Sequence, residues 1–338
     1  MKWGKLLDAL TGKRGVAYLL LICSLVLAFA LSISLGAVKI PLPRLWQILS
    51  GRESSGYLAL IIWQVRLPRT LAAMAVGMAL AASGATLQGV LQNPLAAPST
   101  IGVNAGAAFA AMVVFAYFPN RILLVVPAAF AGALVALLLI FFIQSSSGGG
   151  QVSLILGGVA ISALLGAGSD TIRLLRPEAM VGASNFMIGG LSGITWSSLN
   201  FALPYLAGGI LLALLAAPLL NVISLGDDVA RSLGVPLRSA RWLLLALAAI
   251  LAGSSVAIAG LLGFVGLIVP HAARLLFGYD HRFLLPGVVI LGGTLVLLGD
   301  LAARLIFAPY ELPVGILLAF GGGPFFIYLL IRQQRGVE

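Results

Sequence analysis

No charged side chain lies between Arg14 and Lys39, and none between Leu243 and Pro270. A helix needs roughly 20 predominantly apolar residues to cross a bilayer, and stretches such as VAYLLLICSLVLAFALSISLG are apolar on every face. A chain with no polar face along such runs cannot cover itself in water. Similar runs lie near 70–91, 101–118, 122–143, 152–172, 199–220, 284–306 and 313–331. A β-barrel is excluded because its strands need segments of about ten residues alternating apolar and polar. Only 9% of the residues are charged, against roughly 25% in soluble domains. The expectation is an all-α polytopic membrane protein, with many of its 41 glycines inside apolar runs where they favour close helix packing.

The N-terminus carries Lys2, Lys5, Lys13 and Arg14 against Asp8, which predicts a first span starting in the cytoplasm. Ala28-Phe29-Ala30 has the small-x-small form of a signal-peptide cleavage site, but apolar residues continue past it, favouring a retained span. The uncharged stretch from Leu243 to Pro270 is long for one span and short for two. Its glycines, Gly253, Gly260, Gly263 and Gly266, predict a re-entrant pair turning outside near Gly253–Gly260 and leaving His271 and Arg274 in the cytoplasm. Nine or ten spans are compatible with these patterns. Ten put both termini in the cytoplasm, in keeping with Arg332 and Arg335 at the C-terminal end. The cytoplasmic basic residues are then Lys2, Lys5, Lys13, Arg14, Arg231, Arg238, Arg241, Arg274, Arg282, Arg332 and Arg335. The external ones are Lys39, Arg44, Arg52, Arg66, Arg69, Arg121, Arg173, Arg176 and Arg304. Eleven against nine is a weak positive-inside bias, as expected if some external arginines serve a partner.

Several chemistries are absent from the sequence. No segment fits G-x-x-x-x-G-K-[ST], since Gly4-Lys5 and Gly12-Lys13 lack the following hydroxyl residue, so the chain has no ATP cradle of its own. SGGGQ at Ser147–Gln151 looks like an ABC ATPase signature but has no nucleotide fold around it, and reads as a loop. His271 and His281 have no acidic or cysteine partner at ligand spacing, and Cys23 is the only cysteine, an apolar filler. The net charge of +10 is spread over nearly every loop rather than clustered as nucleic-acid binding requires. A secondary transporter would need intramembrane ionisable groups. Its only candidates, Asp170, Asp300 and Glu311, fall near span ends beside Arg173 or Arg304 and read as interfacial pairs.

Two polar interruptions remain. LQNPLAAPSTIGVNAG, from Leu91, breaks between spans at Asn93-Pro94, and Ser99 is placed to cap the next helix; the segment is a tight turn or a gate. GDDVARSLGVPLRSAR, from Gly226, places Asp227 and Asp228 at a helix N-terminus, while Gly234 and Pro236 stop that helix. The expected product is a short helix standing off the membrane, shaped for insertion into a partner's groove.

VRLPRTLAAMAVGMALAASGATLQGVLQNPLAAPSTIGVNAGA, GDDVARSLGVPL, IAGLLGFVGLIVPHAARLLFGYDHRFLLPG and ELPVGILLAFGGGPFFIYLL resemble, in order and spacing, the FecCD family of ABC importer permeases. That family serves iron-siderophores, heme and cobalamin, and the resemblance covers nearly the whole chain. It implies one permease domain over residues 1–338, ten spans, a homodimer, and a multi-pass place in a bacterial or archaeal plasma membrane. It also implies two cytoplasmic ATPase subunits that use ATP and Mg, an external substrate-binding protein, and no cofactor or catalytic residue in this chain. The favoured cargo is an iron(III)-siderophore, moved through the dimer interface between the fifth and tenth spans, with heme or cobalamin as alternatives. Asp227, Asp228, Ala230, Arg231, Ser232, Leu233, Gly234 and Pro236 match the helix that couples to the ATPase, and the small Ala230 suits close approach there. Arg66, Arg69 and Arg304 match external arginines that contact the binding protein. Asn93 and Leu95 match a cytoplasmic gate, and Gly150 and Gln151 occupy the positions of a second gate element, where a cobalamin-type permease carries small hydroxyl residues.

Overall fold

A computed structural model describes residues 12–36, 38, 40–51, 56–146, 151–308 and 310–335. All regular elements among them are helical: α1 Lys13–Ser34, α2 Leu42–Leu49, α3 Tyr57–Val90, α4 Val103–Tyr117, α5 Val125–Ser146, α6 Gln151–Leu175, α7 Ala179–Ile188, α8 Trp196–Leu215, α9 Ala217–Ser224, α10 Asp227–Ser232, α11 Leu237–Ala259, α12 Val265–Phe277, α13 His281–Leu305 and α14 Val314–Arg335. Seven of these segments are long and apolar enough to cross a membrane: α1, α3, Ile122–Ile143, Leu156–Leu175, α8, α11 and α13. Val103–Tyr117, Ala179–Ile188, Val265–Phe277 and Val314–Ile327 are apolar but shorter.

Helix α3 is the axis of the molecule. Its apolar window is 83% buried, whereas that of α1 is 17% buried, so α3 runs through the interior and α1 along the lipid-facing edge. The second part of α3, LPRTLAAMAVGMALAASGATLQGV, is built largely of Ala, Gly and Ser, and α13, α11, α12 and α8 pack around it. Small side chains allow this crowding because association in lipid depends on van der Waals approach rather than on expelling water. At the crossing with α13 both sides lack side chains: a Cβ on Gly77 would stand 2.2 Å from the Gly292 carbonyl oxygen, and one on Gly292 would stand 2.4 Å from that of Gly77. Upstream, α3 winds as a π-helix over Ile61–Arg66, just before Pro68, whose ring has no N–H to donate back.

The re-entrant stretch forms differently from the expectation. Gly253 lies inside α11, which continues unbroken to Ala259, and the turn falls later, at Gly260–Phe264. Gly253 stays helical because its missing side chain admits Ala133 of α5, whose Cβ would be 2.8 Å from an added one. The real break is held by other broken ends. Gly260 takes a left-handed φ of 67°, the Leu261 N–H donates to the Phe186 carbonyl at 3.0 Å, and the Gly190 N–H donates to Ala259 at 2.8 Å. The Gly315 N–H, at the start of α14, donates to Gly189 at 3.0 Å. Irregular backbone inside a membrane protein persists only where neighbouring protein satisfies it, and here α7, α11 and α14 supply one another's missing partners. Ser99 also departs from expectation. It lies within a 3-10 turn, Pro98–Ile101, and α4 instead begins after Gly102 without a side-chain cap.

The glycine crossing yields a direct test. Gly292→Val forces β-carbons against a backbone carbonyl that cannot yield, and should destabilise the detergent-purified protein by about 1–3 kcal/mol, lowering its thermal midpoint. Gly208→Val, where nothing lies within 4 Å, should leave the midpoint unchanged.

Candidate functional site

The polar stretch after α9 folds as the sequence suggests. Asp227 and Asp228 occupy the first turn of α10, Gly226 precedes it, and Gly234 takes a left-handed φ of 79° that ends it, its N–H donating to the Arg231 carbonyl at 2.9 Å. Pro236 then starts α11, and its carbonyl accepts the Ala240 N–H at 3.0 Å. Arg241 of α11 grips Asp227 with both terminal guanidinium nitrogens, at 2.5 and 3.1 Å, fixing α10 to the following span. Arg231 is exposed and faces Asp228 at 3.4 Å, and the exposed Ser232 hydroxyl donates to the Val229 carbonyl at 2.8 Å. Ala230 differs from expectation. It is fully buried against the main core, so it seats α10 on its own protein and presents nothing to a partner. The outward face belongs instead to Leu225, Val229 and Leu233, which are 62%, 44% and 60% exposed and four residues apart. Only Val229 lies within α10; Leu225 precedes Gly226, whose φ of 104° and ψ of 161° interrupt the helical path, and Leu233 follows the last turn.

The break after α3 lies at the same end of the molecule. Asn93 closes a tight turn, its side-chain oxygen accepting the Leu95 N–H at 2.9 Å and its own N–H donating to the Gln88 carbonyl at 3.2 Å. Pro94 and Leu95 then line a small cavity with Leu267, Ile268 and His271 of α12 and with Phe325 and Phe326 of α14. Gln88, buried in α3, donates to the carbonyls of Gly266 (3.2 Å) and Ala96 (3.4 Å) and accepts from Arg274 at 2.6 Å. Gln92 donates to the Ile223 carbonyl of α9 at 2.8 Å. Beside them Asn221 accepts from the His281 N–H and faces its Nδ1, and donates to Asp280 at 2.6 Å. Burial opposes ionisation of Asp280, but the Arg282 N–H and the Asn221 amide outweigh it and hold this carboxyl below the usual aspartate range. Gly150 and the Gln151 side chain lie outside the described residues; the backbone of Gln151 opens α6.

At the opposite end Arg66, Arg69 and Arg304 come together, but not as open charges: they are 5%, 8% and 5% exposed. Arg69 donates to both oxygens of Asp300, at 2.9–3.1 Å, and to Glu311 at 2.7 Å. Arg304 pairs with Asp300 at 3.1 Å and reaches the Ser32 hydroxyl at 2.8 Å. Arg66 donates to the Ile33 and Ser34 carbonyls, at 2.7 and 2.8 Å, and to that of Val38. It thereby satisfies the C-terminal end of α1, where unpaired carbonyls favour a cation. The three arginines matched to binding-protein contacts are thus buried, each guanidinium turned inward onto this chain's own oxygens. Asp170 does pair with Arg173 as expected, at 2.9 Å on the surface.

Gln88, Gln92, Asn221 and Arg274 are polar groups at this end that the sequence alone does not single out. Gln88 is visible as an amide inside an otherwise apolar helix, an expensive placement that implies partners, but two of its three partners, Gly266 and Arg274, come from α12, more than 170 residues away. The Leu225–Val229–Leu233 spacing was visible too, and was hidden by attention to the charged residues between. Among the described residues no three His, Cys, Asp or Glu converge as metal ligands.

The buried arginines generate a stability test. Arg69→Met leaves Asp300 and Glu311 without their main partner and should cost about 3–5 kcal/mol. Arg173→Met at the exposed pair should cost at most about 1 kcal/mol. Thermal unfolding in detergent compares the two. If Arg69→Met unfolds like the parent and only slows association of an acidic binding protein, the docking role would stand instead.

The chain is 40% identical over 319 residues to the iron(3+)-hydroxamate import system permease protein FhuB of Bacillus subtilis, covering 94% of this chain and 83% of that one. It is 38% identical over 323 residues to the hemin transport system permease protein HmuU of Yersinia pestis, covering 94% and 95%. An inward-facing structure assigned to a metal-chelate type ABC transporter superposes with a TM-score of 0.84 at 31% identity, covering 94% of this chain and 99% of that one. The model of the FecCD transport family matches residues 24–332, and this multi-pass membrane chain belongs to that family.

Proposed function

We propose that the chain is the permease subunit of an ATP-driven, binding-protein-dependent importer, and that residues 1–338 form one transmembrane permease domain. Ten spans result if α4, α12 and α14 cross together with the seven longer segments. Both termini then lie in the cytoplasm, at the α10 end. Two copies form the pathway between them. ATP and Mg are used by two separate cytoplasmic ATPase subunits, and a binding protein delivers cargo at the arginine-cluster end. The buried arginines hold the roof of that docking surface rather than touching the partner.

The observation that carries this reading is α10. This six-residue helix is clamped to a span by Asp227–Arg241, exposes Val229, and is flanked by the exposed Leu225 and Leu233. Such a face fits a groove on a soluble partner. The paired acids support the same reading over an ion-coupled carrier, since Asp300 and Glu311 are both engaged by arginine.

The proposed cargo is an iron(III)-siderophore, on the likeness to a hydroxamate permease; the likeness to a hemin permease keeps heme as the alternative, with cobalamin behind it. Two experiments test this. Leu233→Asp should reduce co-purification of the ATPase subunits at least fivefold without shifting the thermal midpoint, because Leu233 is 60% exposed and outside the core. Full retention of the ATPase would move its docking site elsewhere. Vesicles bearing the complete complex should accumulate radio-iron from a ferric hydroxamate in the presence of ATP, with excess hemin not competing. Uptake of hemin instead would reassign the cargo.

A further inference from the structure

Gln92 is one of two non-glycine residues with positive φ among the described residues, at 46°. A left-handed conformation is uncommon for an L-residue and persists where surroundings enforce it. Gln92 has such an enforcer. Its side-chain amide reaches out of the loop and donates to the Ile223 carbonyl at 2.8 Å, in the last turn of α9. That carbonyl also accepts the Gly226 N–H at 3.2 Å, which shapes the turn into α10. One oxygen thus joins the root of the exposed helix to the loop after α3.

The rest of the loop is anchored to something else. Gln88 ties its base to α12 through Gly266 and Arg274, and the Asn93 N–H folds back on the Gln88 carbonyl. Two and three residues beyond Gln92, Pro94 and Leu95 form one wall of the cavity completed by α12 and α14. A displacement of α9–α10 relative to α12 therefore pulls on Gln92 while Gln88 stays fixed, and the Pro94–Leu95 wall turns between the two anchors.

We propose that Gln92 is a positioning residue, a side-chain strut that passes movement of α10 to the Pro94–Leu95 wall. This rests on the importer reading, and its test separates the two. In a Cys23→Ala, Leu95→Cys background, the complex with its co-purified ATPase is placed in nanodiscs. Thiol labelling at Leu95→Cys is followed with and without ATP, alongside ATP hydrolysis. With Gln92 present, ATP should change the labelling rate. Gln92→Met keeps the length and removes the donor; Gln92→Gly removes the donor and relieves the backbone. Both should shrink the ATP-dependent change at least fivefold while hydrolysis stays within twofold of the parent. A parental labelling response in either variant overturns the strut and leaves the importer reading standing. A parallel fall of labelling response and hydrolysis makes Gln92 an assembly residue and overturns the strut as well. No ATP response even with Gln92 present, in complexes that hydrolyse ATP, overturns the importer reading and the strut with it.

Discussion

In lipid a polar group must find its partner within the protein, and this requirement organises the chain. The buried and half-buried polar side chains discussed above fall in two layers. One holds Arg66, Arg69, Asp300 and Arg304, the other Gln88, Arg274, Asn221 and His281. Nineteen positions separate Arg69 from Gln88 on α3, and nineteen separate His281 from Asp300 on α13. At 1.5 Å per residue each interval is about 28 Å, close to the roughly 30 Å of a hydrocarbon core. Between the layers α3 and α13 meet through Gly77 and Gly292 with no side chain intervening. The two helices thus define the membrane thickness by where they place polar groups, and their separation by where they omit side chains.

The layers differ in what they hold. The arginine layer is a closed ionic network, with Asp300 at 1% exposure shared by two guanidiniums and Arg66 satisfied by the carbonyls that end α1. Breaking it exposes an uncompensated charge, so it is rigid. The other layer centres on amides: Asn221 bonds the His281 N–H and the Asp280 carboxylate, Gln88 accepts from Arg274, and neutral bonds to backbone carbonyls of separate elements run from Gln88 and Gln92. Such bonds are individually worth only about 0.5–1.5 kcal/mol and can exchange partners. A transporter that moves at one end while holding shape at the other needs that asymmetry.

Much of this was legible in the sequence, for physical reasons that differ by element. The long spans follow from charge-free length, and α10 from the Asp-Asp start, Gly234 and Pro236 acting as local signals within a dozen residues. The place of the turn after α11 was not legible, because Gly253 and Gly260 look alike in sequence. They differ only in what meets them: Ala133 accepts the first inside a helix, while Phe186 and Ala259 bond the backbone around the second. The arginines misled for the same reason. Arg69 and Asp300 are 231 residues apart, and nothing local indicates that the charge is already answered. The small size of Ala230 suits an interface and a core equally, and in the fold it is fully buried.

The central claim is that the apolar side chains exposed on and beside α10 form the surface through which an ATPase acts on this chain. Hydrogen exchange of the permease in nanodiscs, alone and with its co-purified ATPase, measures it without altering any residue. The account predicts that ATPase binding protects backbone amides from Leu225 to Leu233 at least tenfold, with slowed exchange extending into the Leu91–Leu95 loop and no change at Arg66–Thr70. Protection that spares Leu225–Leu233 and appears on another part of the chain would contradict it.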